Sequence, residues 1–306
     1  MNTDQVRRFT YDGFAYRCRI VENPAPLTEP IVVVGGAFQD MYAFRRLEGP
    51  WAASSTVISV ELPGSGSADA LPASQGFEFL SDVLIHLLDG LGVARANLLG
   101  ASYGAPVVYG VAQERPERVA RMALFGAAPR YPDAGLRALR ALVDSLEAGD
   151  TAAYARLIVS ALVPPADRRI RNRPSVTKLL TLVMGAVTPD DIPRHIASTL
   201  RLIEWKGLRP GGIEGIPALC FTGEHDPLTY PDLGREAAAT IEGAVFTLIR
   251  EAGHLPVLER PEEFADLVAR FFTDRPLHGL SYTTPLERPA PPAGTGALWR
   301  TAPRVP

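Results

Sequence analysis

The feature that most constrains this chain is a glycine-flanked serine, Ser102, in the stretch Gly100-Ala101-Ser102-Tyr103-Gly104, directly after an apolar run. The pattern G-x-S-x-G is typical of a buried strand that bends sharply into a helix, because glycines leave room where the backbone crowds itself. The bend lifts the Ser102 hydroxyl above the sheet edge and points the first helical N–H groups, beginning with that of Tyr103, at an oxygen beside it. We therefore predict a nucleophile at Ser102. Taken alone, the pattern also fits a serine that caps a helix, with glycines kept for packing.

Strand-like and helix-like runs alternate along most of the chain. Asp12-Gly13 predicts a tight antiparallel hairpin over residues 8–21, and a stripe of leucine and valine predicts a helix from 77 to 91. Strands alternating with helices predict the α/β class with a mostly parallel, doubly wound sheet, whose active-site loops follow the carboxyl ends of the strands. The apolar runs that we interpret as buried strands are residues 31–34, 56–60, 97–99, 119–126, 217–223 and 244–249.

The strand signal disappears between residues 131 and 215, where apolar residues keep helical spacing. Gly149 fits the end of one helix there, and Asp150 fits the N-cap of the next. We predict a core domain of residues 1–130 and 216–275. We also predict a helical cap of residues 131–215, inserted between two strands, and a loose, proline-rich C-terminal tail of residues 276–306. The pattern leaves open whether this tail packs against the core.

Two further motifs give Ser102 the partners that a nucleophilic serine needs. Asp226 ends a buried run within Gly223-Glu224-His225-Asp226, and His254 follows the next run within Gly253-His254. A serine hydroxyl is a poor nucleophile until a base takes its proton. An imidazole is suited to that near neutral pH, and a carboxylate fixes its tautomer. Asp226 alone can cap a loop and His254 alone can be structural, but the order Ser, Asp, His after three strands predicts a catalytic triad.

With these motifs the chain resembles the α/β-hydrolase fold superfamily, in particular its capped esterases, lactonases and C–C hydrolases. The resemblance covers roughly residues 8–273 and implies Ser102 as nucleophile, His254 as base, Asp226 as its orienting acid and Tyr103 as one oxyanion N–H. The chain departs from the pattern at Gly35-Gly36, where relatives carry His-Gly, and at Glu61, where they carry aspartate. The resemblance places the second oxyanion donor, a backbone N–H, at Ala37 or Phe38.

Composition narrows the class of partner. The chain has 34 acidic and 31 basic residues and a net charge of −3, so we expect a small-molecule substrate and neither nucleic acid nor an anionic membrane. Its two cysteines, Cys18 and Cys220, predict no disulfide, and we expect no metal and no cofactor. The chain shows no signal peptide or membrane span, which favours a cytoplasmic location. The pattern leaves the oligomeric state open.

Three kinds of function fit these residues. The first is a serine hydrolase that cleaves an ester, lactone or thioester through an acyl-enzyme. The second uses the same residues as a C–C bond hydrolase, an acyltransferase or a cyclase, and the third is a hydrolase-like ligand sensor. The arginine-rich run at residues 167–173 can hold an anionic handle of a substrate or be a solvated loop.

Overall fold

The predicted strands lie side by side in one eight-stranded sheet in the computed structural model, which describes residues 4–290. The strand order is β1-β2-β4-β3-β5-β6-β7-β8; β2 pairs antiparallel with β1 and β4, and all other neighbours are parallel. The α/β fold class and the hairpin at Asp12-Gly13 are therefore confirmed. The strands are β1 (Asp4–Tyr11), β2 (Phe14–Val21), β3 (Ile31–Val34), β4 (Val57–Glu61), β5 (Ala96–Ala101), β6 (Val119–Phe125), β7 (Ala218–Gly223) and β8 (Val245–Ile249).

The centre of the sheet is apolar on both faces. Every residue of β3, β5 and β7 is buried, as expected for strands covered by helices on each side. Successive residues of β3 pack into different clusters: Val32 and Val34 join the cluster that contains α2 and α3, and Ile31 and Val33 join the one under α1 and α10. The helices are α1 (Glu48–Ala52), α2 (Phe77–Gly90), α3 (Gly104–Glu114), α4 (Asp133–Glu147), α5 (Thr151–Leu162), α6 (Arg173–Gly185), α7 (Ile192–Glu204), α8 (Pro231–Ala238), α9 (Pro256–Glu259) and α10 (Pro261–Phe272).

Four helices, α4 to α7, separate β6 from β7 in the chain, and we call them the inserted helices. Between α4 and α5 the chain turns at Gly149, which has a positive φ of 70°, and the Asp150 carboxylate accepts the Ala153 N–H at 2.7 Å. These two residues form the predicted stop and N-cap. The division of the chain into core and cap stays a prediction. None of the helices within residues 4–290 is long and apolar enough to cross a membrane.

The C-terminal segment differs from the loose tail that we predicted. Residues 282–287 run antiparallel beside β8, where Glu287 and Phe246 exchange both backbone hydrogen bonds and Thr284 N–H bonds to Leu248. The Arg235 side chain also pairs with Glu287 at 2.6 Å. The prediction was wrong for this segment because proline does not prevent the residues between prolines from pairing with an exposed strand edge. Residues 291–306 lie outside the described residues.

We expect a chain that ends at Arg275 to be less stable than one that ends at Arg288, because only the shorter chain leaves the β8 edge unpaired. Denaturant midpoints and soluble yields of the two truncated proteins would measure the difference. Equal midpoints would show that residues 276–288 contribute nothing to stability.

Candidate active site

Ser102 lies on a strained turn between β5 and α3, at a positive φ of 50°. Its N–H donates to the Phe125 carbonyl at 2.7 Å, which ties the turn to β6. A Cβ at Gly100 would lie 2.8 Å from the Gly104 oxygen, and a Cβ at Gly104 would lie 2.8 Å from the Gly35 oxygen and closer still to that of Val34. Both glycines are therefore required by backbone crowding, as the sequence predicts.

The structure brings Asp226 and His254 to Ser102 from the ends of β7 and β8. His254 Nε2 lies 3.0 Å from Ser102 Oγ, and His254 Nδ1 lies 2.8 Å from Asp226 Oδ2. Asp226 follows β7 and His254 follows β8, so three parallel strands deliver the three side chains to the same sheet edge. Asp226 and His254 are almost completely buried, at 3 % and 4 % exposure.

Asp226 is held as a carboxylate by five hydrogen-bond donors. Its Oδ1 accepts the N–H groups of Leu228 and Thr229, and its Oδ2 accepts the hydroxyls of Thr222 and Thr229 as well as the His254 contact. Burial alone would raise the pKa of Asp226, but the charge of His254 and these hydrogen bonds hold that pKa below its usual range. Because the carboxylate is ionised, the proton of a neutral His254 belongs on Nδ1, and Nε2 is then able to accept the serine proton.

The sequence did not identify Thr222 and Thr229, or the role of Gly126. The loop from Asp226 to Thr229 turns its own N–H groups back on the carboxylate, a local pattern that aspartate favours in turns. Gly126, at the end of β6, has a positive φ of 62°, and a Cβ there would lie 3.3 Å from His254 Cε1. Its lack of a side chain leaves room for the imidazole.

Three backbone N–H groups near Ser102 have no hydrogen-bond acceptor within residues 4–290: those of Tyr103, Ala37 and Phe38. The Gly36 N–H is occupied, because it donates to Gln39 Oε1 at 2.6 Å. Ala37 and Phe38 line the same cavity as Ser102, and Phe38 has a positive φ of 64°. Unsatisfied N–H groups beside a nucleophile are suited to bind an oxyanion.

The cavity over Ser102 has about 840 Å³ of empty space, and most of its lining is apolar. Its walls come from the loop after β3, from the Ser102 turn and from α4, α5 and α7 of the inserted helices. Within residues 4–290, no group of three or more His, Cys, Asp or Glu side chains is placed to hold a metal ion.

Three of the four arginines in the run at residues 167–173 contact protein groups instead of the cavity. Arg169 and Arg171 pair with Glu251 at 2.9 and 3.0 Å, and Arg173 donates to the Pro164 carbonyl at 2.6 Å. None of the arginines between 167 and 173 lines the cavity over Ser102. This geometry gives no support to an anionic handle at the site.

Arg201 of α7 connects the inserted helices to the Ser102 turn. It is 2 % exposed and donates to the Tyr103 hydroxyl at 2.5 Å and to the carbonyls of Leu71, Pro72 and Gln75. Its partners within the described chain are neutral oxygens, so the guanidinium is satisfied without a carboxylate. Nothing in the local sequence distinguishes Arg201 from an exposed arginine of an amphipathic helix.

Glu259 of α9 supports the segment that carries His254. Its Oε2 accepts the Gly253 N–H at 2.5 Å, and its buried Oε1 has no partner within residues 4–290. Burial raises the pKa of Glu259 to about 7, although the Gly253 N–H and the charge of His254 act in the opposite direction. The residue therefore titrates near neutral pH in the folded protein.

We expect Gly104→Ala to cost about 3 kcal/mol of folding free energy, the upper end for an added methyl group, because the methyl would overlap the carbonyls at the end of β3. Gly135→Ala is the control: it adds the same methyl to α4, where the nearest atom is 3.6 Å away, and should be neutral or stabilising by up to about 1 kcal/mol. Urea unfolding of both variants checks this. Equal stabilities would contradict the crowding at the turn.

We expect the wild type to lose stability relative to Glu259→Gln as the pH rises from 5 to 8. Between the unfolded pKa near 4.5 and the folded pKa of about 7, the folded chain holds more protons than the unfolded chain, so stability falls with rising pH. The loss is at most about 1.4 kcal/mol per pH unit. Glutamine keeps the acceptor for Gly253 and removes the titration. If the unfolding free energies of wild type and Glu259→Gln changed with pH in parallel, the raised pKa of Glu259 would be refuted.

A sequence model described as the alpha/beta hydrolase family matches residues 31–267. The chain is 26% identical to pimeloyl-[acyl-carrier protein] methyl ester esterase of Chromobacterium violaceum over 234 residues, 74% of this chain and 87% of the relative.

Two solved structures show the same fold. One is an alpha/beta hydrolase enzyme from a Medee basin deep-sea metagenome library, with TM-score 0.77, 20% identity and coverage of 89% of this chain and 98% of that one. The other is the enol-lactonase of Burkholderia xenovorans LB400, with TM-score 0.72, 24% identity and coverage of 87% and 100%. The family model covers most of this chain, including the strands that carry Ser102 and Asp226 and the His254 segment, and the chain belongs to the alpha/beta hydrolase family.

Proposed function

We propose that the protein is a serine hydrolase that cleaves an ester, lactone or thioester of a small, largely apolar substrate through an acyl-enzyme. The observation that carries this proposal is the continuous hydrogen-bonded line from Asp226 through His254 to Ser102 Oγ, at the floor of an apolar cavity. A relay of this kind has the parts that acyl transfer needs.

In the proposed reaction, His254 Nε2 takes the proton of Ser102 as Oγ attacks the substrate carbonyl. The carbonyl oxygen becomes an oxyanion, which the N–H groups of Tyr103 and of Ala37 or Phe38 stabilise. His254 then gives its proton to the leaving oxygen or sulfur, and the acyl group stays on Ser102. Water, whose proton the same imidazole takes, then attacks the acyl-enzyme. The bond to Ser102 Oγ breaks, His254 returns the proton to Oγ, and the acid is released.

The substrate class follows from the cavity and its walls. Of the side chains that line it, only a few are polar, and none is an aspartate, glutamate, lysine or arginine. A charged substrate would lose its hydration there without a matching charge, so uncharged acyl and alcohol groups are favoured. The name of the Chromobacterium violaceum relative describes a methyl ester esterase, which supports ester cleavage.

We expect Ser102→Ala to abolish labelling by a fluorophosphonate probe and to lower ester turnover by about a million-fold, with a similar loss for His254→Ala, because nucleophile and base act as a unit. Asp226→Asn should cost about 10,000-fold, because the imidazole keeps its place but loses tautomer control. Labelling and turnover of nitrophenyl esters, measured on folded proteins, check the series.

Ser160→Ala is the matched control, since Ser160 is an exposed serine of α5. It should keep both labelling and turnover. Full turnover in folded Ser102→Ala protein would rule out the acyl-enzyme. Absence of turnover in the wild type, with a ligand-dependent change in the protein, would favour a ligand sensor. Products of carbon–carbon cleavage or of acyl transfer would favour the second kind of function instead.

A further inference from the structure

A second cavity lies beside the one that contains Ser102. It has about 670 Å³ of empty space and is lined by Gly64 and Gly66, by the end of α6 and the loop after it, and by Asp191, Arg194 and His195 at the start of α7. We call it the outer cavity, and the one over Ser102 the inner cavity. Among the residues described, Phe38 is the one residue that lines both.

The Phe38 ring forms a wall with His195. The two rings are stacked, with centroids 4.2 Å apart and planes 12° from parallel. His195 lines the outer cavity but not the inner one, so the stacked pair stands between the two spaces. Aromatic rings at this separation are in full contact and leave no passage between their faces.

Tyr154 of α5 contacts both rings of the stacked pair. Its hydroxyl is hydrogen-bonded to His195 Nδ1 at 2.9 Å, and its ring contacts Phe38 edge to face at 6.4 Å between centroids. Tyr154 is completely buried. Burial lowers the pKa of His195 to about 4, so the imidazole is neutral at physiological pH and stacks as an uncharged ring.

The course of α7 explains why the two cavities are neighbours. Asp191, Arg194 and His195 line the outer cavity, whereas Thr199 and Leu202, one and two turns further along, line the inner one. Thr199 is also bonded to its own helix, through Oγ1 to the His195 carbonyl at 2.8 Å. A single helical turn, about 5.4 Å of rise, therefore separates the linings.

We propose that the stacked pair of Phe38 and His195 is the wall that ends the inner cavity and limits the length of substrate beside Ser102, so that both residues determine specificity. The inference rests on the proposed hydrolase function. Phe38 lines both cavities and His195 covers its outer face, so removing the His195 ring lets the Phe38 ring turn into the vacated space and joins the two cavities. The longer arm of an ester then reaches space that the wild type closes. The newly accepted substrates are esters with an extended apolar chain that continues past Phe38.

The test compares His195→Ala, which opens the wall, with His195→Phe, which keeps a ring of similar size. Two ester series are measured: nitrophenyl esters from butanoate to dodecanoate, and acetate esters of alcohols from ethanol to dodecanol. In His195→Ala the kcat/KM of long esters relative to short ones should rise in one series by about fourfold per methylene that enters the outer cavity. His195→Phe should keep the wild-type ratio.

Refilling the opened space gives a second check. Val187 lines the outer cavity, and adding Val187→Trp to His195→Ala should restore the wild-type ratio. If His195→Ala does not fold, Phe38→Leu opens the wall from the other side. Any effect of Phe38→Leu on the oxyanion loop cancels in a ratio of two substrates.

If the enzyme hydrolyses esters but His195→Ala leaves the ratio of long to short esters unchanged in both series, the specificity wall is wrong and the hydrolase function stands. A rise that His195→Phe shares would also overturn the specificity wall, because that variant keeps the ring. If the wild type neither hydrolyses esters nor reacts with the probe, the hydrolase function itself fails, and the specificity wall fails with it.

Discussion

The backbone contact between the first residue of α3 and the end of β3 is the constraint on which the site depends. Gly104 lies so close to the carbonyls of Val34 and Gly35 that no side chain fits between them. This contact fixes the left-handed turn at Ser102, and it also fixes the chain that leads from Gly35 to Ala37 and Phe38. Ser102, the proposed nucleophile, and the backbone N–H groups proposed to bind the oxyanion are therefore positioned by one approach of backbone to backbone. Side-chain substitutions around the site can change the shape of the cavity without moving these groups relative to one another.

A buried carboxylate is the second element, and it is stable only as part of its network. Asp226 is cut off from water, which alone would favour its protonated form. Its network replaces the lost hydration with two backbone N–H groups, two threonine hydroxyls and the imidazole. Four of these five donors come from the residue's own loop and strand, and the imidazole is the fifth. The charge of His254 helps to hold Asp226 ionised, and the ionised carboxylate in turn sets the tautomer of a neutral imidazole.

The sequence predicted the parts of the site that depend on local pattern. Ser102, Asp226 and His254 each follow an apolar run, and parallel strands bring such positions together at one edge; the fold and the meeting of these side chains followed from that rule. The sequence did not predict the residues whose roles depend on partners that are distant along the chain. Arg201 looks like any arginine of an amphipathic helix. No local pattern marks His195, because its partners Tyr154 and Phe38 are 41 and 157 positions away in the sequence. The C-terminal segment was misjudged because its pairing depends on an open strand edge that composition does not reveal.

Helix α7 connects the inserted helices to the loops at the edge of the sheet. Through Arg201 it is fixed to the loop at residues 71–75 and to the Tyr103 hydroxyl, and through His195 it contacts the Phe38 ring. Arg201 reaches the side chain of Tyr103, and His195 reaches that of Phe38; the N–H groups of both partners are proposed to bind the oxyanion. Neither contact uses a charged partner. A buried guanidinium that is satisfied by carbonyls has directional bonds to several fixed points, so α7 cannot slide without breaking them together. The helix that lines the cavity and the turn that carries Ser102 are thereby held in one frame, and under the proposed function the substrate range depends on the side chains that α7 contributes to each cavity.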